Sequence, residues 1–198
     1  MSETSPTRAV VLELKDEQRA MHEGYVFLDE KCLLLAGEIL RELARYAEFD
    51  RVFIAAHDAA IAALQAAVAR HGLDDLQVYP ALLQDTAAMA REARSIMGVR
   101  LQDAAWQPAA EPPPPSVTPS PEAEACRRAF EALLAAAAPL AAVSGNLERL
   151  SFEYRRSVRR ARALQDVLLP ELDDEVYRIE TRLEELEQED AISMRYRA

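Results

Sequence analysis

Three histidines, two cysteines and thirty-four carboxylates are the reactive and ligating groups of this chain, and their placement supports no catalyst. His22, His57 and His71 are scattered, with no partner at the spacing of a metal site or a nucleophile–base pair. They read as surface or partly packed side chains. Cys32 and Cys126 follow no ligand spacing and read as buried thiols, which behave as small hydrophobes. Neither GxGxxG nor GxxxxGKS/T occurs, so no phosphate cradle is encoded. Carboxylates such as Glu184, Glu185 and Glu187 belong to a polar helix face, where nothing pairs them for acid–base work. The expectation is a non-catalytic chain with no cofactor and no metal.

Charge is where the chain becomes specific. From Arg149 to Arg162 there are six arginines (Arg149, Arg155, Arg156, Arg159, Arg160, Arg162) against the single acid Glu153. From Glu171 to Asp190 there are ten acids against Arg178 and Arg182. One reading is a solvated helix surface whose i,i+4 pairs contribute a few tenths of a kcal/mol each, as an order of magnitude. The sharper reading makes Arg155, Arg156, Arg159, Arg160 and Arg162, with Pro170 beyond them, a partner-binding surface that grips acidic loops. Nucleic acid is a poor partner. The net charge is −11, and only Phe152 and Tyr154 interleave the basic band.

Long helices must carry these bands. Val11, Leu14, Gln18, Met21, Tyr25, Leu28, Cys32, Leu35 and Ile39 step strictly 3-4-3-4. A second stripe reads Leu147, Leu150, Tyr154, Val158, Ala161, Leu164, Leu168, Leu172, Val176, Ile179, Leu183 and Leu186, about 3.5 residues per step. Two such stripes at opposite ends of one chain can cover each other by folding back as an antiparallel pair. That pairing would bring Arg8–Lys31 beside the acidic band and the arginine band beside Glu38 and Glu42. Ser5 and Pro6 suit a helix start, as N-cap and first helical residue, and His71-Gly72 suits a stop. Between them, Gly24 and Gly37 each cost about 1 kcal/mol relative to Ala and mark a close approach or a slight bend.

The middle is less regular. Tyr79-Pro80 reads as a break, Leu82 to Met97 as a short helix capped by Gly98, and Val99 to Leu101 as a short strand. Seven of the eleven prolines crowd into residues 108–121, an extended linker that could also serve as a polyproline ligand. A further helix resumes near Pro121-Glu122. Breaks are expected at Pro139 and at Ser144-Gly145-Asn146, and a bend at Pro170, whose ring removes one backbone bond. Composition agrees with helices throughout: half the residues are apolar, only five are Gly, and aromatics make up 6%. No run approaches the ~18 apolar residues of a membrane span, and no signal-peptide layout is present, so the chain is expected to be cytosolic. The fold class is all-α: a long antiparallel two-helix coiled coil of the N- and C-terminal helices, with a short mid-chain head that has room for a small β-hairpin. The segments are residues 5–71, a shaft helix; 72–121, the head and Pro-rich linker; and 122–198, a helical segment and second shaft helix.

These residues resemble the D subunit of the V-type (vacuolar/archaeal-type) rotary ATPases, in a bacterial form. The likeness rests on Pro6-Thr7-Arg8, Leu14-Lys15, Gly24, Leu28 and Lys31 near the start, and on Met97-Gly98-Val99 in the middle. Near the end it rests on Arg159-Arg160, Ala163-Leu164, Val167, Pro170, Leu172, Ile179, Leu183, Glu185, Glu187 and Glu189. Departures are Arg162, Gln165, Gln188 and Cys32, where the family usually has Asn, Glu, Arg and a basic residue, and the Pro-rich segment. The resemblance implies a central rotor axle in ATP synthesis and hydrogen-ion or other ion transport, peripheral to the membrane. It implies as partners the A and B subunits around a hexamer pore, the small F subunit, and the funnel-shaped subunit on the membrane ring. A free-standing coiled-coil adaptor is the alternative; it explains the stripes but not the ordered signatures at both ends.

Overall fold

The computed structural model describes residues 7–79, 88–108 and 117–197. Helix α1 spans Arg8–His71, a short α2 spans Leu73–Leu76, strands β1 (Ala88–Ile96) and β2 (Val99–Gln107) follow, and α3 covers Pro121–Ala163. A π-turn at Leu164–Leu168 joins α3 to α4, Leu169–Arg197. The long N-terminal and C-terminal helices pack together, as the sequence stripes require, and a two-stranded antiparallel hairpin lies between them in the chain.

The expected start at Ser5-Pro6 lies outside the described residues. Thr7 is the observed cap, its Oγ1 accepting the Val10 amide at 3.3 Å. At the other end, Gly72 follows α1 with φ 78° and ψ 165°, a backbone region open essentially to glycine alone. Ser120 caps α3, its Oγ accepting the Ala123 amide at 3.2 Å, and Pro121 takes the first helical position.

The described residues form two compact units. In the first, built from the chain up to Leu34 and from Tyr154 onward, α1 runs antiparallel to α4. Arg8 meets Glu187 at 2.8 Å and, one heptad on in one helix and back in the other, Lys15 meets Glu180 at 2.5 Å. Val11, Cys32, Ser157, Ala161, Leu172 and Val176 are buried along the seam. Ser157 corrects the stripe read from sequence. It is 1% exposed and holds the seam position assigned to Val158, restoring a strict 3-4 alternation through Tyr154, Ser157, Ala161 and Leu164.

The second correction falls at Leu168, which is 40% exposed. The seam passes from Leu164 to Leu169, five residues where a heptad takes four, then resumes through Leu172, Val176, Ile179, Leu183 and Leu186. The π-turn absorbs the extra residue, and the Leu169 amide donates to the Leu164 carbonyl, an i→i+5 bond. Pro170 follows at once, with no N–H to continue the ladder, so the bend expected there takes the form of a widened turn. Gly24 faces this place, where an added Cβ would lie 3.9 Å from Leu164 Cδ1.

The second unit runs from Leu35 to Glu153. Its core is Leu35, Leu101, Val143 and Leu150, with Ala60, Ala67, Ala123, Ala136 and Ala138 where helices lie close. The breaks expected at Pro139 and at Ser144-Gly145-Asn146 are absent; α3 continues through both. Gly145 is covered by Arg149, whose Nη1 would lie 3.3 Å from an added Cβ, and Asn146 is anchored by side-chain bonds described below. The short helix expected over Leu82–Met97 is also overturned. Residues 82–87 lie outside the described set, and Ala88–Ile96 is a strand paired in register from Ala88↔Gln107 to Ile96↔Val99. Its Ala, Arg and Glu content favours a helix locally, but the two-residue turn outweighs that propensity. Met97 and Gly98 have φ 48° and 83°, the positive values that a tight hairpin needs.

Alanine also changes one expectation about hydropathy. An 18-residue window of α1 reaches a mean hydropathy of 1.7, and one within Pro121–Tyr196 reaches 1.4. By length and composition alone, two helices are therefore apolar enough to cross a membrane. This is weak evidence, since long apolar helices of soluble proteins pass the same test.

Candidate partner-binding surfaces

Arg155, Arg156, Arg159, Arg160 and Arg162 are all exposed in the first unit. Arg155, Arg159 and Arg162 follow i, i+4, i+7 on one face of α3, with Arg156 and Arg160 beside them. Seam residues Tyr154, Ser157 and Ala161 hold that face outward. Pro170 is exposed in the first turn of α4, just past the π-turn. The structure thus brings the five arginines together as one band. Beside the π-turn an open groove of about 600 Å³ is lined by Lys15, Gln18, Arg19, His22, Glu23, Leu169 and Asp173. Across it Gln18 donates to Asp173.

Glu38 and Glu42 have other partners. They are 2% and 0% exposed, inside the second unit, and their partner across the fold is Arg94 of β1. Arg94 Nη1 reaches Glu38 Oε1 at 2.6 Å and Nη2 reaches Glu42 Oε1 at 2.7 Å. Arg41 pairs with Glu38, and Arg45 bridges Glu42 at 2.7 Å and Asp103 of β2 at 2.5 Å. The hydrogen bonds it donates to Asp103 and Glu42 hold the Arg45 guanidinium above its usual range. Asn146 completes the cluster: its carboxamide accepts the Gln102 amide at 2.8 Å and donates to the Gln102 carbonyl at 2.9 Å, as a neighbouring strand residue would. Its Nδ2 also lies 3.1 Å from Glu42 Oε2, and Arg149 donates to its Oδ1 at 2.7 Å. The hairpin is therefore fastened to α1 by half-exposed arginines paired with two buried glutamates, and to α3 by the buried Asn146 carboxamide.

Sequence reasoning missed this cluster, and the signal was present. Glu42 falls on the seam of α1, three residues past Ile39, where an acid demands a cation from another element. It also missed that His71 has partners. His71 Nε2 lies 2.6 Å from Ser120 Oγ, and Tyr79 OH lies 3.4 Å from Nδ1. This imitates a serine–histidine pair, but the serine oxygen is engaged as the α3 cap. The cluster ties the end of α1 to the start of α3. Cys32 and Cys126 are buried and free, and burial pushes both thiols up, which keeps them unreactive.

One ion cluster near the start of α3, with Glu124 and Arg127 half-buried and Arg128 exposed, carries a pH signature. Hydrogen bonds from Arg127 and Arg128 hold the Glu124 carboxyl at about 2, below its usual 4.5. A depressed carboxyl contributes stability that is present above its ordinary value and is lost as the pH falls through about 2. Glu124→Gln is expected to lower stability at neutral pH by a few tenths of a kcal/mol, the scale of solvent-screened helix pairs. In melts across the acid range that difference should vanish near pH 2.

The profile of the ATP synthase D-subunit family matches residues 10–196. This chain belongs to that family. The D subunit of a V-type ATP synthase from Thermotoga neapolitana is 23% identical, over 96% of this chain and 95% of its own. Its counterpart from Anaeromyxobacter dehalogenans, also of a V-type ATP synthase, is 29% identical, over 98% and 95%. The D subunit of the A-type ATP synthase from Pyrococcus horikoshii is 27% identical, over 93% and 88%. The family and its relatives' names support a subunit of a V/A-type ATP synthase, one component of a larger complex. The match runs through α1, the hairpin, α3 and α4, so it covers both described units.

Proposed function

We propose that this chain is the central rotor axle of a V/A-type rotary ATPase, carrying torque between an A/B hexamer and the ion-translocating membrane ring, and that it is not itself an enzyme. The observation that carries the reading is the antiparallel pairing of the two chain ends along a heptad seam, clamped by Arg8–Glu187 and Lys15–Glu180. A pair of wound helices resists bending and twisting better than one, which a torque shaft needs. In this reading the paired ends enter the hexamer pore, the middle of the chain takes the F subunit, and the far end docks on the funnel-shaped subunit. The chain would then be cytoplasmic and peripheral to the membrane. The π-turn before Pro170 departs from a straight, uniform rod, and such asymmetry would let the axle press on one catalytic interface at a time.

Within that reading the arginine band grips acidic loops of the surrounding subunits. Replacing Arg155, Arg156, Arg159, Arg160 and Arg162 together with Gln is expected to lower ATP-driven rotation and ATPase activity of the reconstituted complex several-fold at low salt, and less at high salt, where the wild-type attraction is itself screened. Unchanged turnover and assembly would refute the grip. The axle reading is tested by purifying the tagged chain from its native host. A, B and F subunits should accompany it at fixed stoichiometry; recovery without them would favour a free-standing coiled-coil adaptor.

A further inference from the structure

We infer that the π-turn at Leu164–Leu168 is one of two registers of the same shaft segment, exchanged by swapping Leu168 and Leu169 as the seam residue. The inference deepens the axle reading by locating a torsional joint in the shaft.

The argument starts from the spacing. Leu164 is half-buried and Leu172 is buried, and between them the seam residue in this structure is Leu169, with Leu168 40% exposed. The interval from Leu164 to Leu172 can also be crossed as two steps of four, through Leu168. With the four-residue step on to Val176, that makes three successive fours, one residue more between Ala161 and Val176 than two heptads, which locally unwinds the supercoil without a break. Both paths put a leucine in the seam between Leu164 and Leu172, and they differ in the twist of the helix between those two residues. Few sequences permit this, because a one-residue slip normally exchanges an apolar residue for a polar one.

Pro170 brings the two paths closer in energy. In an α-helix it withholds an amide from the Asp166 carbonyl; in the π-register it withholds one from Gln165. The uninterrupted α-register therefore already carries an orphaned carbonyl, which narrows its advantage over the π-turn. The opposing wall tolerates both arrangements. Gly24 offers no side chain there, its nearest side-chain neighbour being Leu164, and the groove beside Leu169 is open. A π-turn takes more residues per turn than an α-turn, so the exchange rotates the segments on either side about the helix axis. Two packings separated by a small gap make a bistable element that an external twist can bias.

The test is a set of glutamate substitutions in the isolated full-length chain, which separates it from the axle reading. Leu168→Glu and Leu169→Glu are each expected to shift the thermal midpoint by under about 2 °C, because the other leucine takes the seam. Leu172→Glu, at a buried position with no substitute, should lower the midpoint by about 6–10 °C, and the Leu168→Glu/Leu169→Glu double variant should fall as far. Should the glutamates unfold the helix pair by circular dichroism, the alanine set at the same positions carries the same pattern at smaller amplitude. A fall for Leu169→Glu as deep as that for Leu172→Glu, or a double variant equal to the sum of its singles, would overturn the inference.

Discussion

Arg94→Met should lower the stability of the second unit by about 2–4 kcal/mol, on the scale of a broken buried ion pair reduced by the cations that remain. The guanidinium is the only link from β1 to Glu38 and Glu42 among the described bonds, and both carboxylates are essentially without solvent. Methionine keeps the unbranched apolar stem of the side chain and removes the charge, so the loss reports chiefly pairing. Arg41 and Arg45 still neutralise the acids, which keeps the figure below that of a fully orphaned pair. Trp106, the only tryptophan, lies on β2 and reports the hairpin directly, so urea unfolding followed by its fluorescence checks the result. Glu42→Leu should cost less than Arg94→Met. It leaves Arg45 and Arg94 with Asp103 and Glu38, in side chains exposed enough to rehydrate. A midpoint unmoved in Arg94→Met would mean the hairpin is held by Asn146 and the Leu101 packing alone.

That cluster also shows where sequence periodicity stops being informative. The 3-4 stepping in α1 assigned Val11, Leu35 and Cys32 to the interior, and all three are buried, because an apolar residue at a seam spacing has one obvious destination. The same rule failed where a polar residue does the packing. Ser157 was passed over for Val158, and Glu42 and Asn146 were left outside the core, although each of the three is 1% exposed or less. The burial of Glu42 and Asn146 depends on partners far away in sequence: Arg94 lies 52 residues from Glu42, and Gln102 lies 44 from Asn146. No local pattern encodes such partners. The hairpin failed for a related reason, since Ala88–Ile96 is stabilised by pairing and by Arg94, neither visible in its helix-favouring composition.

The arginine band was legible as a band because arginines at i, i+4 and i+7 share a face whatever the register. Its neighbours were not. The expected pairing with Glu38 and Glu42 assumed that those acids were surface groups, and the seam had already claimed them. The π-turn was half legible: Pro170 announced a disturbance, but twin leucines at 168 and 169 allowed the stripe to be drawn through the wrong one.

The paired chain ends set the largest effect expected of any change in the first unit. Leu28→Asp together with Leu183→Asp places two carboxylates on a seam that holds the N- and C-terminal helices side by side. Both leucines are half-buried, so each aspartate loses the leucine's burial and is partly desolvated with no cation assigned to it. About 2–3 kcal/mol for each site, and about 4–6 kcal/mol together, exceeds what Arg8–Glu187 and Lys15–Glu180 contribute, since exposed ion pairs are worth about 1 kcal/mol or less. The clamps therefore cannot hold the pair when the seam is charged. Circular dichroism should show loss of helix from the chain ends at a temperature well below the wild-type transition, while Trp106 fluorescence, which reports the other unit, moves little. Wild-type helicity and midpoint in the double variant would mean that the seam assignment is wrong, and with it the pairing on which the axle reading depends.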